Sequence, residues 1–108
     1  MTDELLKSLN INPSTVNFTV HIVSPNEMRE LNKKHRGKDK ATDVLSFPLL
    51  NISAGQMPVR ENFPLDYNPE TNKIELGDII VNETEPNRDF LIDHGLLHLL
   101  GYHHEEDE

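Results

Sequence analysis

The order of apolar and polar residues in the first third of the chain predicts a helix, a strand and a second helix. Residues 3–9 have the spacing of a short helix, which the turn signal at residues 10–13 ends. Apolar and polar side chains alternate over residues 18–23, as in a strand with one buried face, and His21 falls on the polar face. Residues 24–27 (SPNE) have the pattern of a capping box with proline at the first helical position, so a helix should begin there and end near Gly37.

The rest of the chain predicts two more strands and a last helix. Residues 44–47 form a short strand before Pro48, and residues 76–81 are a largely apolar strand that we expect to be buried. Residues 49–75 are rich in proline and asparagine, which favours a long surface excursion that could contain a hairpin. Residues 90–100 are apolar enough for a helix, with Asp89 as a possible cap and Gly101 at its end.

These elements predict an α+β fold in which helices pack on a small mixed β-sheet. A length of 108 residues is enough for one modest core, so we expect a single domain over residues 1–108. The chain has no cysteine, which excludes disulfides and leaves nitrogen and oxygen atoms as the ligands of any metal ion.

Charge is distributed unevenly along the chain. The formal net charge is −9, which by itself disfavours nucleic-acid binding. Residues 29–40, however, contain six of the ten Lys and Arg residues, namely Arg29, Lys33, Lys34, Arg36, Lys38 and Lys40. Such a basic segment is typical of a solvated helix face, but it can also steer a polyanion to one place. No apolar run resembles a signal peptide or could span a bilayer, so we expect a cytoplasmic protein.

Two histidines of the last helix have the spacing of metal ligands. His94 and His98 are four residues apart, so their side chains lie on one face, one helical turn from each other. Because the residues around them are apolar, we expect this helix to be buried, and each unsatisfied imidazole would then cost about 1–3 kcal/mol. A bound cation removes that cost. We therefore predict a divalent metal site, with zinc as the expected ion, at the C-terminal end of a buried helix.

A third ligand is available directly after this helix. Gly101 allows the chain to turn back, and either His103 or His104 could then reach the same ion. Three protein ligands leave a fourth position for water, as in catalytic zinc sites. Zinc proteases with a related helix carry a glutamate directly after the first histidine as general base. That position is Gly95 here, so peptide hydrolysis by their mechanism is disfavoured.

Three segments of the sequence resemble the signature of the YbeY family, metal-dependent endoribonucleases of ribosomal RNA maturation. Residues 94–104 (HGLLHLLGYHH) resemble the family's H-G-x-L-H-L-x-G-Y-D-H, with His at position 103 in place of Asp. Residues 36–48 (RGKDKATDVLSFP) resemble R-x-x-x-x-x-T-D-V-L-S-F-P, and residues 76–81 (LGDIIV) resemble L-G-D-I-x-I. The three segments occur in the order of the family.

The resemblance implies specific roles for four residues. His94, His98 and His104 would be the ligands of one zinc ion, and Arg36 would be a catalytic residue in the substrate cleft. The implied activity is cleavage of single-stranded RNA in ribosomal RNA processing and small-subunit maturation. The implied partner is the small ribosomal subunit, with no membrane involved and a monomer as the expected state.

Three carboxylates are candidates to orient a metal-bound imidazole from behind, namely Asp43, Asp78 and Asp93. A capping or turn role fits the first two equally well. Two other functions also fit the same ligands. A zinc hydrolase of another substrate would cleave model esters and ignore RNA. A non-catalytic ribosome-assembly factor would use the metal only to staple its core, and the acidic net charge favours this alternative slightly.

Overall fold

The computed structural model of the protein describes residues 2–102. Its helices and strands follow the predicted order, with the added strand β3: α1 (Thr2–Ser8), β1 (Val16–Val23), α2 (Pro25–Arg36), β2 (Val44–Pro48), β3 (Tyr67–Asn68), β4 (Lys73–Asn82) and α3 (Arg88–Leu99). Short 3-10 turns occupy Pro13–Thr15 and Pro64–Asp66. The predicted α+β class, with helices on a small mixed sheet, is confirmed. No helix in the described range is long and apolar enough to cross a membrane.

Strand β4 is the centre of the sheet. It pairs in parallel with β1 on one side and antiparallel with β2 on the other, and β3 pairs antiparallel with its first residues. Because β4 has neighbours on both sides, it is buried along most of its length, as the apolar run of residues 76–81 predicts.

A bulge in β4 decides which of its residues face the main core. The pairing with β1 shifts between Asn17 and Thr19, so that one extra residue of β4 is accommodated next to Gly77. Gly77 has a φ of +135°, and a Cβ on it would overlap the carbonyl oxygen of Phe47. Glycine is therefore required here by both backbone conformation and space. Because of the extra residue, Leu76 and Ile79 face the same side of the sheet.

The two faces of the sheet carry cores of unequal size. Helices α1 and α3 cover one face, and their apolar side chains pack on those of β4. This main core contains Leu6, Ile11, Val16, Leu50, Phe63, Ile74, Leu76, Ile79, Val81, Leu91, Leu96, Leu99 and Leu100. Helix α2 covers part of the opposite face with a smaller cluster of Met28, Leu45 and Ile80. Strand alternation places Ile79 and Ile80 on opposite faces, so α3 and α2 lie on opposite sides of the sheet.

Both ends of α2 are as the sequence predicts. The Ser24 side chain accepts from the backbone N–H of Glu27, whose carboxylate accepts from the backbone N–H of Ser24, which completes the capping box. At the other end Gly37 adopts the left-handed conformation (φ 71°) that closes the helix. The predicted capping box and the predicted helix end near Gly37 are thus confirmed.

Two predictions about the second half of the chain need correction. The segment 49–75 is not purely a surface excursion, since Leu50, Pro58 and Phe63 are buried and β3 forms the suggested hairpin with an extended β4. Helix α3 begins at Arg88, with Asn87 rather than Asp89 at the cap position. Asp89 lies within the first turn, where a carboxylate is favourable to the helix dipole.

Candidate metal centre

Helix α3 lies against the sheet at a point where its backbone comes very close to β4 and β2. A Cβ on Gly95 would be 2.7 Å from Cγ2 of Ile79 and 3.1 Å from Oγ of Ser46. Only a residue without a side chain allows this approach. The Ser46 hydroxyl in turn donates a long hydrogen bond of 3.4 Å to the carbonyl oxygen of Gly95. Gly95, which lies between the two predicted ligands in the sequence, therefore determines how closely α3 approaches the sheet.

The two histidines of α3 form a close pair on the side of the helix next to this contact. The ring centroids of His94 and His98 are 4.6 Å apart, and the rings are inclined by 51°. The predicted placement on one helical face is confirmed. Both side chains are half-buried, and the adjacent Phe90 is 69% exposed. The expectation of a buried helix is confirmed from Leu91 onward, where no residue of α3 is exposed, whereas the first turn with Phe90 is exposed.

This pair fits the first two ligands of a zinc ion. Imidazole nitrogens bind zinc at about 2.0–2.1 Å, so two ligands of one ion must be neighbours, as these rings are. Within residues 2–102 no third His, Cys, Asp or Glu joins them in a group able to hold a metal ion. The predicted third ligand, His104, and its alternative, His103, lie outside the described residues.

The end of α3 is held against the loop that follows β2. Gly101 has a φ of +92°, and a Cβ on it would be 2.5 Å from the carbonyl oxygen of Ile52 and 2.9 Å from the backbone nitrogen of Ala54. The hydroxyl of Tyr102 accepts a hydrogen bond from the backbone N–H of Gly55 at 3.1 Å. The predicted helix end at Gly101 is confirmed, and this loop fixes the direction in which the chain leaves the helix.

Arg36 is the last residue of α2, and its half-buried side chain lies on the other face of the sheet from the histidine pair. Both nevertheless lie next to the edge strand β2. The neighbour of Arg36, His35, packs edge-on against Phe47 with ring centroids 4.8 Å apart. The neighbour of His94, Gly95, contacts Ser46. Two adjacent residues of β2 thus contact the chain neighbours of Arg36 and His94.

The basic segment is partly neutralised by an acid of its own loop. Asp39 accepts a hydrogen bond of 2.6 Å from Nε of Arg29 and lies 3.9 Å from Nζ of Lys33. The hydrogen bond to Arg29 lowers the pKa of the Asp39 carboxyl and raises the pKa of Arg29. The side-chain amide of Asn32 donates to the carbonyl oxygen of Lys40 at 2.9 Å and holds the same loop to α2.

The three candidate carboxylates have different surroundings. Asp78 is 3.0 Å from Nε2 of a histidine, as a supporting carboxylate would be, but that histidine is the surface residue His21 of β1. Asp43 accepts from the backbone N–H of Val44 at 2.8 Å, which is the turn role that the sequence also allowed. Asp93 directly precedes His94 on α3, and its role in orienting an imidazole stays a prediction.

Comparison with known proteins identifies the family. The model of the family described as Endoribonuclease YbeY matches residues 1–89. The curated Endoribonuclease YbeY of Helicobacter pylori is 43% identical over 105 residues, which cover 96% of this chain and 70% of the relative. The chain belongs to the YbeY family. The proteins of the same name from Halalkalibacterium halodurans and Aquifex aeolicus are each 40% identical and are covered to 64% and 63% of their length. The chain thus spans about two thirds of these relatives.

The three YbeY-like segments of the sequence meet at one point in the structure. Ser46 belongs to the first segment, Ile79 to the second and Gly95 to the third, and the last of these contacts the other two. Two strands and one helix are therefore packed closely together next to the histidine pair.

Two features of the site escaped the sequence analysis. Phe90 was assigned to the buried apolar run, although its ring stacks at 16° to that of His94 with centroids 6.3 Å apart and is largely exposed. The sequence signal for this ring contact is the position of Phe90 four residues before His94, on the same helical face. The steric role of Gly95 had no local signal, because it depends on residues of two distant strands.

Proposed function

We propose that this protein is a zinc-dependent endoribonuclease that cleaves single-stranded RNA during ribosomal RNA processing and small-subunit maturation. The observation that carries this proposal is the half-buried pair of His94 and His98, which projects from a helix anchored by all three family segments. The name Endoribonuclease YbeY, which each of the relatives above carries, supports the reaction class.

The proposed ligands are His94, His98 and His104. A set of three imidazoles without thiolates suits zinc and leaves one coordination position for water. When bound, zinc supplies Lewis acidity and a water molecule that ionises near neutral pH. The tight contact of Gly95 with the sheet holds the first two rings in place, so that little reorganisation is needed when the ion binds.

Arg36 is proposed to bind the phosphate of the substrate. A guanidinium group can donate two parallel hydrogen bonds to phosphate oxygens, which both orients the group and stabilises charge that develops on it. Its position at the end of α2, beside the edge strand that supports the histidine pair, is consistent with this role. The half-buried side chain limits the directions in which the guanidinium can point.

The remaining basic residues of α2 and its loop are proposed to guide the RNA. Lys34 and Lys40 are exposed, whereas Asp39 offsets part of the charge of Arg29 and Lys33. Because the chain as a whole has a net charge of −9, attraction of RNA would be confined to this region. A local basic patch of this kind suits a protein that binds the RNA of the small ribosomal subunit in the cytoplasm through one region of its surface.

The experiment compares RNA cleavage by the zinc-loaded protein and its His94→Ala variant, with His21→Ala as the matched control. His21 is a histidine of the surface, 45% exposed and paired with Asp78, on the opposite face of the sheet from α3. The proposal expects cleavage of single-stranded RNA by wild type and by His21→Ala but not by His94→Ala. Equal activity in all three preparations would overturn it. Hydrolysis of model esters without RNA cleavage would favour the alternative of a zinc hydrolase that acts on another substrate. Binding to the small ribosomal subunit without any hydrolysis would favour the non-catalytic assembly factor.

A further inference from the structure

The exposed ring of Phe90 continues the row of rings formed by the histidine pair. Phe90, His94 and His98 follow one another at successive turns of α3, on the same face. The Phe90 ring is nearly parallel to that of His94, at an interplanar angle of 16° and a centroid separation of 6.3 Å. A single exposed aromatic residue is ordinary on a protein surface. Its alignment with the proposed metal ligands is what distinguishes this one.

The surroundings of Phe90 leave room for a flat ligand with a negative charge. An open surface groove of about 360 Å³ is lined by residues 86–90. Because the groove is open to solvent, a flat ring can lie across it without being enclosed. Arg88 also lines the groove, and its Nη2 donates a hydrogen bond of 3.0 Å to the carbonyl oxygen of Glu83, which fixes the guanidinium at the groove. Asp89 also lines the groove, and its negative charge disfavours a ligand phosphate close to it.

We propose that Phe90 is a substrate-binding residue that stacks on a nucleobase next to the phosphodiester to be cleaved. This inference rests on the proposed function and adds to it the contact that binds the base. Single-stranded RNA exposes its bases, and aromatic side chains bind them through stacking that tolerates any sequence. A base on Phe90 places the adjoining phosphate toward His94, while Arg88 offers its charge to the phosphate on the other side.

The test combines three protein variants with two RNA substrates. Phe90→Ala removes the ring, Phe90→Trp keeps a stacking surface, and Leu65→Ala is the matched control. Leu65 is 97% exposed and precedes β3, at the opposite end of β4 from the start of α3. The substrates are a pyrimidine-rich oligoribonucleotide and a copy with one abasic ribose beside the cut. Binding is measured by fluorescence anisotropy before cleavage develops, and KM and kcat by steady-state cleavage with the zinc-loaded protein.

The expected result is a loss of about tenfold in affinity for Phe90→Ala, seen in KM far more than in kcat. Phe90→Trp should retain the affinity of wild type, and Leu65→Ala should behave like wild type. The abasic substrate should bind more weakly to wild type but no more weakly to Phe90→Ala, because the same contact is already lost. Equal affinities of Phe90→Ala and Leu65→Ala for RNA would overturn the inference. It would also be overturned if Phe90→Ala lost as much affinity for the abasic substrate as for the intact one. If no preparation cleaves RNA, the proposed function fails, and the anisotropy measurements still decide whether Phe90 binds a base.

Discussion

The two faces of the sheet place their functional groups in different ways. On the α3 face the helix backbone touches the sheet at Gly95, and the histidines project from an element packed on the large core. On the α2 face the small cluster of Met28, Leu45 and Ile80 holds the helix, and the charged side chains reach into solvent. Groups that must share one metal ion need fixed positions. Groups that attract a polyanion act over several ångströms and tolerate movement.

This difference predicts that substitutions of the histidine pair or of its anchor Gly95 change the chemistry, whereas substitutions of the exposed basic residues of α2 change mainly the binding of RNA. Arg36 differs from those basic residues because it is half-buried and is proposed to contact the phosphate that reacts. The expected losses of RNA cleavage are largest at the proposed ligands and decrease with distance from them.

The largest effect is expected for His98→Ala, which removes a proposed ligand. Changes in groups that merely support a ligand lower metal affinity or activity by about 10- to 100-fold, so loss of the ligand itself should exceed that range. RNA cleavage should fall to background while the circular dichroism spectrum is unchanged. Cleavage within a few-fold of wild type would show that the pair is not part of the active centre.

Arg36→Lys should have the next largest effect, because it keeps the charge and loses the paired hydrogen bonds. Removal of one such donor to a developing charge lowers kcat by about 100-fold in other enzymes. Cleavage kinetics of Arg36→Lys and of Lys34→Arg, the reverse exchange at an exposed position two residues earlier in α2, separate this role from general attraction. A similar small change for both variants would make Arg36 one more charge of the basic segment.

Gly95→Ala should combine a moderate loss of stability with a moderate loss of activity. The added Cβ would lie 2.7 Å from Cγ2 of Ile79, so the helix must move outward. Overpacking of this kind costs about 1–3 kcal/mol of unfolding free energy. Urea denaturation should show this cost, and displacement of the histidines should lower cleavage by about tenfold.

A double variant sharpens this prediction, since Ile79→Ala removes the methyl group that the new Cβ would meet. The cost of Gly95→Ala should then be smaller in the Ile79→Ala background than in wild type. Additive costs in the two backgrounds would contradict the close contact between helix and sheet.

The smallest effect is expected for Asp39→Asn, which unmasks the charges of Arg29 and Lys33. Affinity for single-stranded RNA should rise by about two- to fivefold at low salt and converge with wild type as salt increases. Because the hydrogen bond from Arg29 lowers the pKa of the Asp39 carboxyl in the folded protein, the pair of Arg29 and Asp39 is intact at neutral pH and is lost only as the pH falls through that lowered pKa. An unchanged affinity would show that RNA does not approach this loop.

Local patterns of the sequence were sufficient for much of the fold and for the close placement of His94 and His98. The capping box at Ser24 and the facing of His94 and His98 depend on residues three or four positions apart, where helix geometry alone decides the contact. The strand at residues 44–47 and the buried character of β4 followed from apolar runs bounded by turns.

The features that sequence reasoning missed depend on contacts between distant segments. The bulge near Gly77 moves the residues after it in β4 to the opposite faces from those that strict alternation predicts. Its place is defined by the pairing with β1, which lies far away in the sequence. The exposure of Phe90 depends on which side of α3 meets the sheet, and Gly95 determines that side through Ile79 and Ser46. Arg36 was singled out only through the family resemblance, because its helix contains four other basic or histidine side chains.

The central claim is that His94 and His98 bind one transition-metal ion. Elemental analysis of tag-free protein, purified without added chelator or metal, tests it directly beside the variants His94→Ala, His98→Ala and His21→Ala. The account predicts about one equivalent of zinc in wild type and in His21→Ala, and a strongly reduced content in the other two variants. Wild-type protein without a transition metal, or an equal metal content in all four proteins, would contradict it.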